Sequence, residues 1–296
     1  MALGVLAPAK VNLYLHVTGR RSDGYHLLDS LVAFADIGDR LVASPAEALS
    51  LTLAGPESGA LADLGEDNLV LRAGRWLAGR AGVGAGAALH LDKHLPVASG
   101  IGGGSSDAAA ALRVLAKLWR CPLAAPDIAA SAELGADLPA CLAARPVWVG
   151  GVGERLEPAV GVPPFGIVLA NPRRPLPTAS VFRGRGGAFG EPARFEPLPR
   201  DPAAVVAALN RRGNDLTEAA IALVPEIAAV LDRLAGLSGA LLARMSGSGA
   251  SCFALFADRA AAVEAGRALR AAEPGWWSAA GALLGDPPPV APVAPA

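Results

Sequence analysis

Lysine is scarce in this chain. Lys10, Lys93 and Lys117 are the only three, and arginine supplies the rest of the 26 basic residues. A retained lysine, Lys10 first among them, marks either chance or a site that needs a compact ammonium rather than a planar guanidinium. Cysteine is equally thin: Cys121, Cys141 and Cys252 are odd in number, far apart and free of any C-x-x-C. That excludes a disulfide framework and a zinc site, and fits reduced thiols in a cytoplasmic protein. An excess of either sign of charge is missing too. The net charge of −1 excludes a dominant nucleic-acid or anionic-membrane surface, so neither partner is expected. There is no apolar run approaching the length of a membrane span. The opening MALGVLAPAK lacks the charged start and long apolar core of a secretory leader. No fixed-period repeat is visible. The P-loop signature Gly-Lys-Ser/Thr and the dinucleotide fingerprint G-x-G-x-x-G are both absent.

What is present is glycine in one place. Leu95–Ala111 reads LPVASGIGGGSSDAAAA, with Gly100, Gly102, Gly103 and Gly104 followed by Ser105, Ser106 and Asp107. The run Ala108–Trp119 predicts a helix, because alanine is the best helix former and Leu112, Leu115 and Trp119 recur at helical spacing. A glycine-rich loop therefore feeds a helix N-terminus, where N–H groups are unpaired and the macrodipole is positive. Glycine lets that backbone wrap around an anion, and the expected anion is phosphate. Asp107 would repel phosphate, so its side chain is expected to turn away from the loop.

The remaining pattern mixes strands and helices without regular βαβ alternation, which predicts an α+β protein. Residues 3–17 read as a strand with Lys10 and Asn12 on one face. Arg20–Gly24 is a polar turn, and Leu41–Leu53 reads as paired strands broken near Pro45. Helices are expected over 68–80, 127–134, 203–209, 216–223, 225–234 and 260–272, with a short one opening at 136–139. Strands are expected at 87–91, 147–149, 166–170, 241–246 and 252–256. Proline and glycine thicken between Pro158 and Pro202, suggesting a domain boundary and then a long loop. Asp286–Ala296, rich in proline and without a packing pattern, is expected to be disordered.

Several smaller constellations carry chemistry. MSGSGAS (Met245–Ser251) sits between two apolar strands and is either a plain hairpin turn or a second clamp beside the first loop. Asp137, in GADLPA, is either a helix N-cap or a buried carboxylate facing a transferred phosphoryl group. Tyr25-His26 could stack on and hydrogen-bond a planar base, or be an ordinary half-buried pair. His90 and His94 lack an evident third metal ligand. Arg173-Arg174 is a solvated loop or an anion contact.

Together these residues resemble the GHMP kinases, the galactokinase, homoserine kinase and mevalonate kinase superfamily. The family's Pro-x-x-x-Gly-Leu-Gly-Gly-Gly-Ser-Ser resembles Pro96–Ser106, with Ile101 in the leucine position, and its carboxy-terminal glycine motif resembles Met245–Ala250. Further stretches are similar to one branch, which phosphorylates a cytidylyl substrate of non-mevalonate isoprenoid biosynthesis. They are Ala7–Leu31, Gly135–Leu142, Gly151–Pro158, Pro177–Phe182 and Gly213–Ala220. The likeness spans roughly residues 5–284.

The resemblance implies a two-domain α+β fold with the site in the cleft: residues 1–155, then a ferredoxin-like 156–284, then the tail 285–296. It implies ATP and Mg²⁺ as cofactors, and transfer to the tertiary 2-hydroxyl of a methylerythritol unit. Lys10 and Asp137 are the implied catalytic pair. The ATP loop is Pro96, Val97, Ala98, Ser99, Gly100, Ile101, Gly102, Gly103, Gly104, Ser105 and Ser106, with either serine helping to place Mg²⁺. Asn12, Tyr25, His26, Thr178, Phe182, Gly247 and Ser248 are implied on the substrate side, with a cytosine between Tyr25 and Phe182. Two other readings stand beside this: a homoserine- or mevalonate-type kinase, and a nucleotide-binding module without transfer. The Gly-Tyr-His stretch speaks against the first, and Lys10 with Asp137 against the second.

Overall fold

The computed structural model describes residues 1–84 and 86–294. In chain order its strands are β1 (Ala2–Arg20), β2 (His26–Ala46), β3 (Ser50–Ala54), β4 (Gly86–Asp92), β5 (Val147–Gly151), β6 (Arg155–Pro158), β7 (Gly166–Asn171), β8 (Leu242–Met245), β9 (Cys252–Phe256), β10 (Trp277–Ala282) and β11 (Ala291–Val293). The helices are α1 (Leu69–Ala81), α2 (Gly103–Leu118), α3 (Ala125–Ala130), α4 (Leu138–Ala143), α5 (Thr178–Gly184), α6 (Pro202–Asn210), α7 (Thr217–Leu223), α8 (Glu226–Ala235) and α9 (Arg259–Ala272). Seven strands make one sheet, ordered β11-β1-β2-β4-β3 with β5 on β2 and β6 on β5; four make a second, β10-β7-β9-β8.

β1 and β2 are much longer than sequence pattern suggests. They pair antiparallel from Leu3↔Ala43 to Arg20↔His26, and register shifts at Pro8/Ala9, Asn12/Tyr14 and Val17/Gly19 bend the ribbon. Both faces of its middle are covered, so Val11, Leu13, Ala33 and Phe34 are all buried and no clean alternation marks the strand. Leu41–Leu53 is not a hairpin. β4 inserts between its halves, antiparallel to β2 (Leu41↔Leu91) and parallel to β3 (Leu51↔Leu89). Leu89 and Leu91 are fully apolar and buried, and a strand of that kind belongs inside a sheet.

Local chemistry sets the helix ends. The Asn68 side chain accepts the Val70 N–H at 3.0 Å, and α1 stops at Gly82 in the left-handed conformation. Ala108–Ala111 are buried, and their small side chains let α2 lie close against α1 and the large sheet. A third layer of Ala9, Val11 and Leu13 from β1 with Ile167, Leu169, Phe253 and Leu255 from the second sheet joins the two halves. No helix among the described residues is long and apolar enough to cross a membrane.

The expected disorder of the tail does not hold over its described part. β11 pairs with β1 through Ala2↔Val293, Leu3↔Pro292 and Gly4↔Ala291. The Arg113 guanidinium donates to the Pro288 carbonyl, and Lys117 Nζ donates to the Val290 carbonyl at 2.6 Å. Without this strap β1 would present an open edge, and proline is tolerated at such an edge because the outer side needs no N–H. Pro295 and Ala296 lie outside the described residues. The long loop expected after Pro158 is also interrupted, by α5.

Candidate active site

One cleft of about 1130 Å³ gathers nearly all the candidate residues. Its floor is the glycine loop. Gly102, at φ 66°, turns the chain into α2, and an added Cβ there would lie 3.1 Å from Lys10 Cβ. Gly104 faces open space, so the first turn of α2 presents its N–H groups to the cleft. Ala98, Ser99, Gly100, Gly102, Gly103, Gly104 and Ser105 line it.

Four residues expected in the loop do not line the cleft. Pro96 is buried and its carbonyl accepts the Ser99 hydroxyl at 2.6 Å. Val97 faces solvent outside the cleft. Ile101 is fully buried, and its carbonyl accepts the Lys10 N–H at 2.9 Å. Ser106 donates to the Pro8 carbonyl at 2.7 Å, which spends its proton on anchoring α2 to β1. Of the two serines only Ser105 faces the cleft.

The turn after β8 locks onto this loop. Ser251 N–H donates to the Ser99 carbonyl at 3.0 Å and Ser246 Oγ to the Gly100 carbonyl at 3.2 Å. A Cβ on Gly100 would come within 2.6 Å of the Gly249 carbonyl. Asn214 Nδ2 holds the turn through the Met245 and Gly247 carbonyls at 2.9 and 2.8 Å. Gly247 and Ser248 line the cleft, and Ser248 shares a 2.8 Å hydrogen bond with Thr178 at the start of α5. The hairpin turn therefore braces the glycine loop.

Lys10 and Asp137 meet in the cleft, Nζ to Oδ1 at 2.8 Å. Lys10 is 8% exposed and Asp137 47%, so the carboxylate is open to the cleft rather than buried as the sequence reading had it. Asp137 precedes α4 but caps none of its N–H groups. Two residues along β1, Asn12 lies on the same face as Lys10. Ser30 donates to the Tyr14 carbonyl at 2.5 Å, so its oxygen receives the Asn12 amide NH₂ at 2.9 Å. That leaves Asn12 Oδ1 buried beside the cleft with no partner, an acceptor waiting for a donor.

The other end is aromatic and basic. His26 stacks on Phe182 with ring centroids 5.0 Å apart and planes at 27°, and Phe189 meets His26 edge-on at 6.4 Å. Phe182 is thus faced by His26, not by Tyr25, which is 63% exposed at the cleft margin. Burial, with Arg20 and Arg185 nearby, holds the His26 imidazole below its usual value, so it is neutral near pH 7. Arg20, Arg183 and Arg185 all line this end, and sequence reasoning missed them. Nothing in their spacing marks them out from the chain's other arginines. Arg173 and Arg174 lie elsewhere, in ion pairs with Glu57 and Glu226 at 2.8 Å each. His94 meets Asp92 and His90 meets Thr52.

Residues 68–145 match the GHMP kinases N terminal domain and residues 198–275 the GHMP kinases C terminal domain. A 4-diphosphocytidyl-2-C-methyl-D-erythritol kinase of Cereibacter sphaeroides is 54% identical over 94% of this chain and 98% of its own length. The chain belongs to this family of GHMP kinases. A Rhodospirillum rubrum relative of the same name is 50% identical over 95% of this chain and 92% of its own. The crystal structure of a 4-(cytidine 5'-diphospho)-2C-methyl-D-erythritol kinase superposes with a TM-score of 0.76 at 37% identity, covering 95% of this chain and 98% of that one. Membership makes the chain a small-molecule kinase that uses ATP, with the two-domain α+β fold of its relatives.

Proposed function

We propose that this chain transfers a phosphoryl group from ATP to the 2-hydroxyl of 4-diphosphocytidyl-2-C-methyl-D-erythritol, a step of non-mevalonate isoprenoid precursor biosynthesis. The observation that carries the reading is the Lys10–Asp137 pair, with a glycine loop on one side and the His26–Phe182 stack on the other, all in one cleft. ATP supplies the phosphoryl group when bound. The backbone N–H groups from Gly102 to Ser105 bind its phosphates, and the open space at Gly104 fits that role. Asp137 accepts the hydroxyl proton as the alcohol oxygen attacks phosphorus. Lys10 holds Asp137 in place through their ion pair and faces the negative charge that develops on the reacting oxygens. Asn12 Oδ1, buried and unpartnered, takes a donor from the substrate. Mg²⁺ fits as an ion carried by the nucleotide phosphates, with the Ser105 hydroxyl as the oxygen donor at hand.

On the substrate side, His26 and Tyr25 take the cytosine, the latter with its exposed ring, and Thr178 with Ser248 borders the cytidine diphosphate. Arg20, Arg183 and Arg185 give that end the positive charge a diphosphate needs. Residues 1–155 and 156–284 act as two domains, and the free thiols of Cys121, Cys141 and Cys252 support a cytoplasmic location. A coupled ADP-release assay with ATP and the cytidylyl substrate tests the assignment, with homoserine and mevalonate as controls. Turnover of either control in place of the cytidylyl compound would move the chain to another branch, and no ADP release with any of them would leave only nucleotide binding.

A further inference from the structure

Beneath the glycine loop lies a charged cluster, Lys93, Asp39 and Asp107, none of which lines the cleft. Lys93 follows β4 and is 1% exposed. Its Nζ donates to Asp39 Oδ2 at 2.5 Å and to Asp107 Oδ2 at 2.7 Å. Asp39, on β2, is fully buried. Its other oxygen accepts the N–H groups of His94 and Leu95 at 2.5 and 2.8 Å, on the chain segment that leads into the loop. Asp107 sits in the first turns of α2 and is 2% exposed. The ammonium lies directly under the loop: a Cβ built on Gly103 would be 3.2 Å from Lys93 Nζ. One cation thus pins together β2, the entry to the loop and the start of α2.

The two carboxyl groups are not equivalent. Asp39 receives three donors, enough to satisfy a buried carboxylate. Asp107 receives one, and its Oδ1 is buried with no partner. We propose that Lys93, Asp39 and Asp107 are positioning residues for the phosphate loop. Asp39 ties Lys93 to β2 and to the segment entering the loop, and Asp107 ties the same ammonium to the start of α2. Loss of the Asp107 tie frees the ammonium beneath Gly103 and lets the loop and the first turn of α2 shift against each other. This inference rests on the reading of Gly100–Ser105 as the site of the ATP phosphates.

The test is calorimetric binding of a non-hydrolysable ATP analogue with Mg²⁺, without any alcohol substrate, to the full chain and its variants. Asp107→Asn keeps a side-chain oxygen that accepts from Lys93 Nζ and should bind within about threefold of the parent. Asp107→Ala loosens Lys93 and should weaken the analogue about 10-fold or more. The KM for the cytidylyl substrate should stay within about twofold in both, a split that general destabilisation would not produce. Equal binding by Asp107→Ala and the parent overturns the positioning role. Binding by Asp107→Asn as weak as by Asp107→Ala overturns the role of the hydrogen bond to Lys93, as does a comparable loss in Asp107→Asn when Asp107→Ala does not fold. Failure of the parent itself to bind the analogue removes the nucleotide reading of the loop, and this inference with it. Tight binding by the parent without turnover of the cytidylyl compound leaves this inference standing while the proposed substrate falls.

Discussion

Each lysine ends on oxygen, at distances between 2.5 and 2.8 Å: Lys10 on Asp137, Lys93 on Asp39 and Asp107, Lys117 on the Val290 carbonyl. At Lys10 and Lys93 the ammonium sits 8% and 1% exposed, where a branched planar head lacks room. Lys10→Arg is therefore expected to fold, bind ATP and lose most turnover; full activity with arginine would reduce Lys10 to a general positive charge. Asp137→Asn should lower kcat by about 10²–10⁴-fold with ATP binding retained, since it removes the proton acceptor and little else. Single-turnover kinetics distinguishes that loss from slow product release. Asp107 adds a pH dependence. Its native pKa is raised, so above the usual carboxylate value the unfolded chain releases a proton that the native chain keeps. Stability then falls as pH rises from about 4 through the native value, by at most about 1.4 kcal/mol per pH unit. Lys93, also raised by its two carboxylates against the downward push of burial, adds a loss in the same direction only at alkaline pH. Urea unfolding across that range should show the slope in the parent and a flatter line in Asp107→Asn; equal slopes would assign it to another group.

At the scale of elements, the strap β11 is the feature that composition hid. Its residues are Ala291, Pro292 and Val293, none with a packing period, and what gives them a place is the free edge of β1 and two basic side chains of α2. Such a strand is specified by its partner, not by its own sequence. The same holds for β10, whose WSAAGA has little strand propensity but completes the edge of β7 from Trp277↔Asn171 to Ala282↔Gly166. The glycine loop, α2 and the β8–β9 hairpin were legible because their signals are local: glycine crowding, alanine with leucine spacing, two apolar runs around a Gly-Ser turn. β2 was not, because its buried Asp29, Ser30 and Asp39 look like loop residues until Tyr14, Asn12 and Lys93 are seen to satisfy them. Removal of Asp286–Ala296 should lower the melting temperature by about 4–8 °C, taking the strap as worth on the order of 2 kcal/mol. It should also promote association through the bared β1 edge. Activity below the transition should be unchanged, as no residue of the strap lines the cleft. An unaltered melting curve would show the strap to be idle.

At the scale of the molecule, a buried guanidinium joins the halves alongside the apolar packing and the hydrogen bonds of the β8–β9 turn. Arg244 on β8 donates to the carbonyls of Leu13, Leu209 and Arg212 at 2.5, 3.0 and 2.6 Å. Burial and Arg212 lower it to about 10, so it still carries its charge at neutral pH. Arg244→Met strands three buried carbonyls and should cost about 3–5 kcal/mol in chemical denaturation. A loss within error would mean that water replaces the guanidinium.

The cleft itself has two ends, and the last prediction separates them. Tyr25 and His26 leave the turn between β1 and β2, whereas Gly100–Ser105 enters α2; they share the cleft from separate elements. Base–aromatic stacking is worth about 1–3 kcal/mol, and a tenfold change in affinity about 1.4 kcal/mol. Tyr25→Ala should therefore raise KM for the cytidylyl substrate by about one to two powers of ten and leave ATP affinity within about twofold. Ser105→Ala should do the reverse, weakening ATP by removing a hydroxyl at the loop while sparing the cytidylyl KM. The double variant should show additive free energies, because sites that share no partner couple weakly. Because His26 already covers one face of Phe182, the base gains most from Tyr25, and Phe182→Ala should act partly through the loss of His26 placement. Its effect should then overlap that of His26→Ala, so that the pair together costs less than the sum. Additivity of Phe182→Ala with His26→Ala would mean that each contacts the base independently. A rise in ATP KM from Tyr25→Ala would mean that the two ends had been assigned the wrong way round.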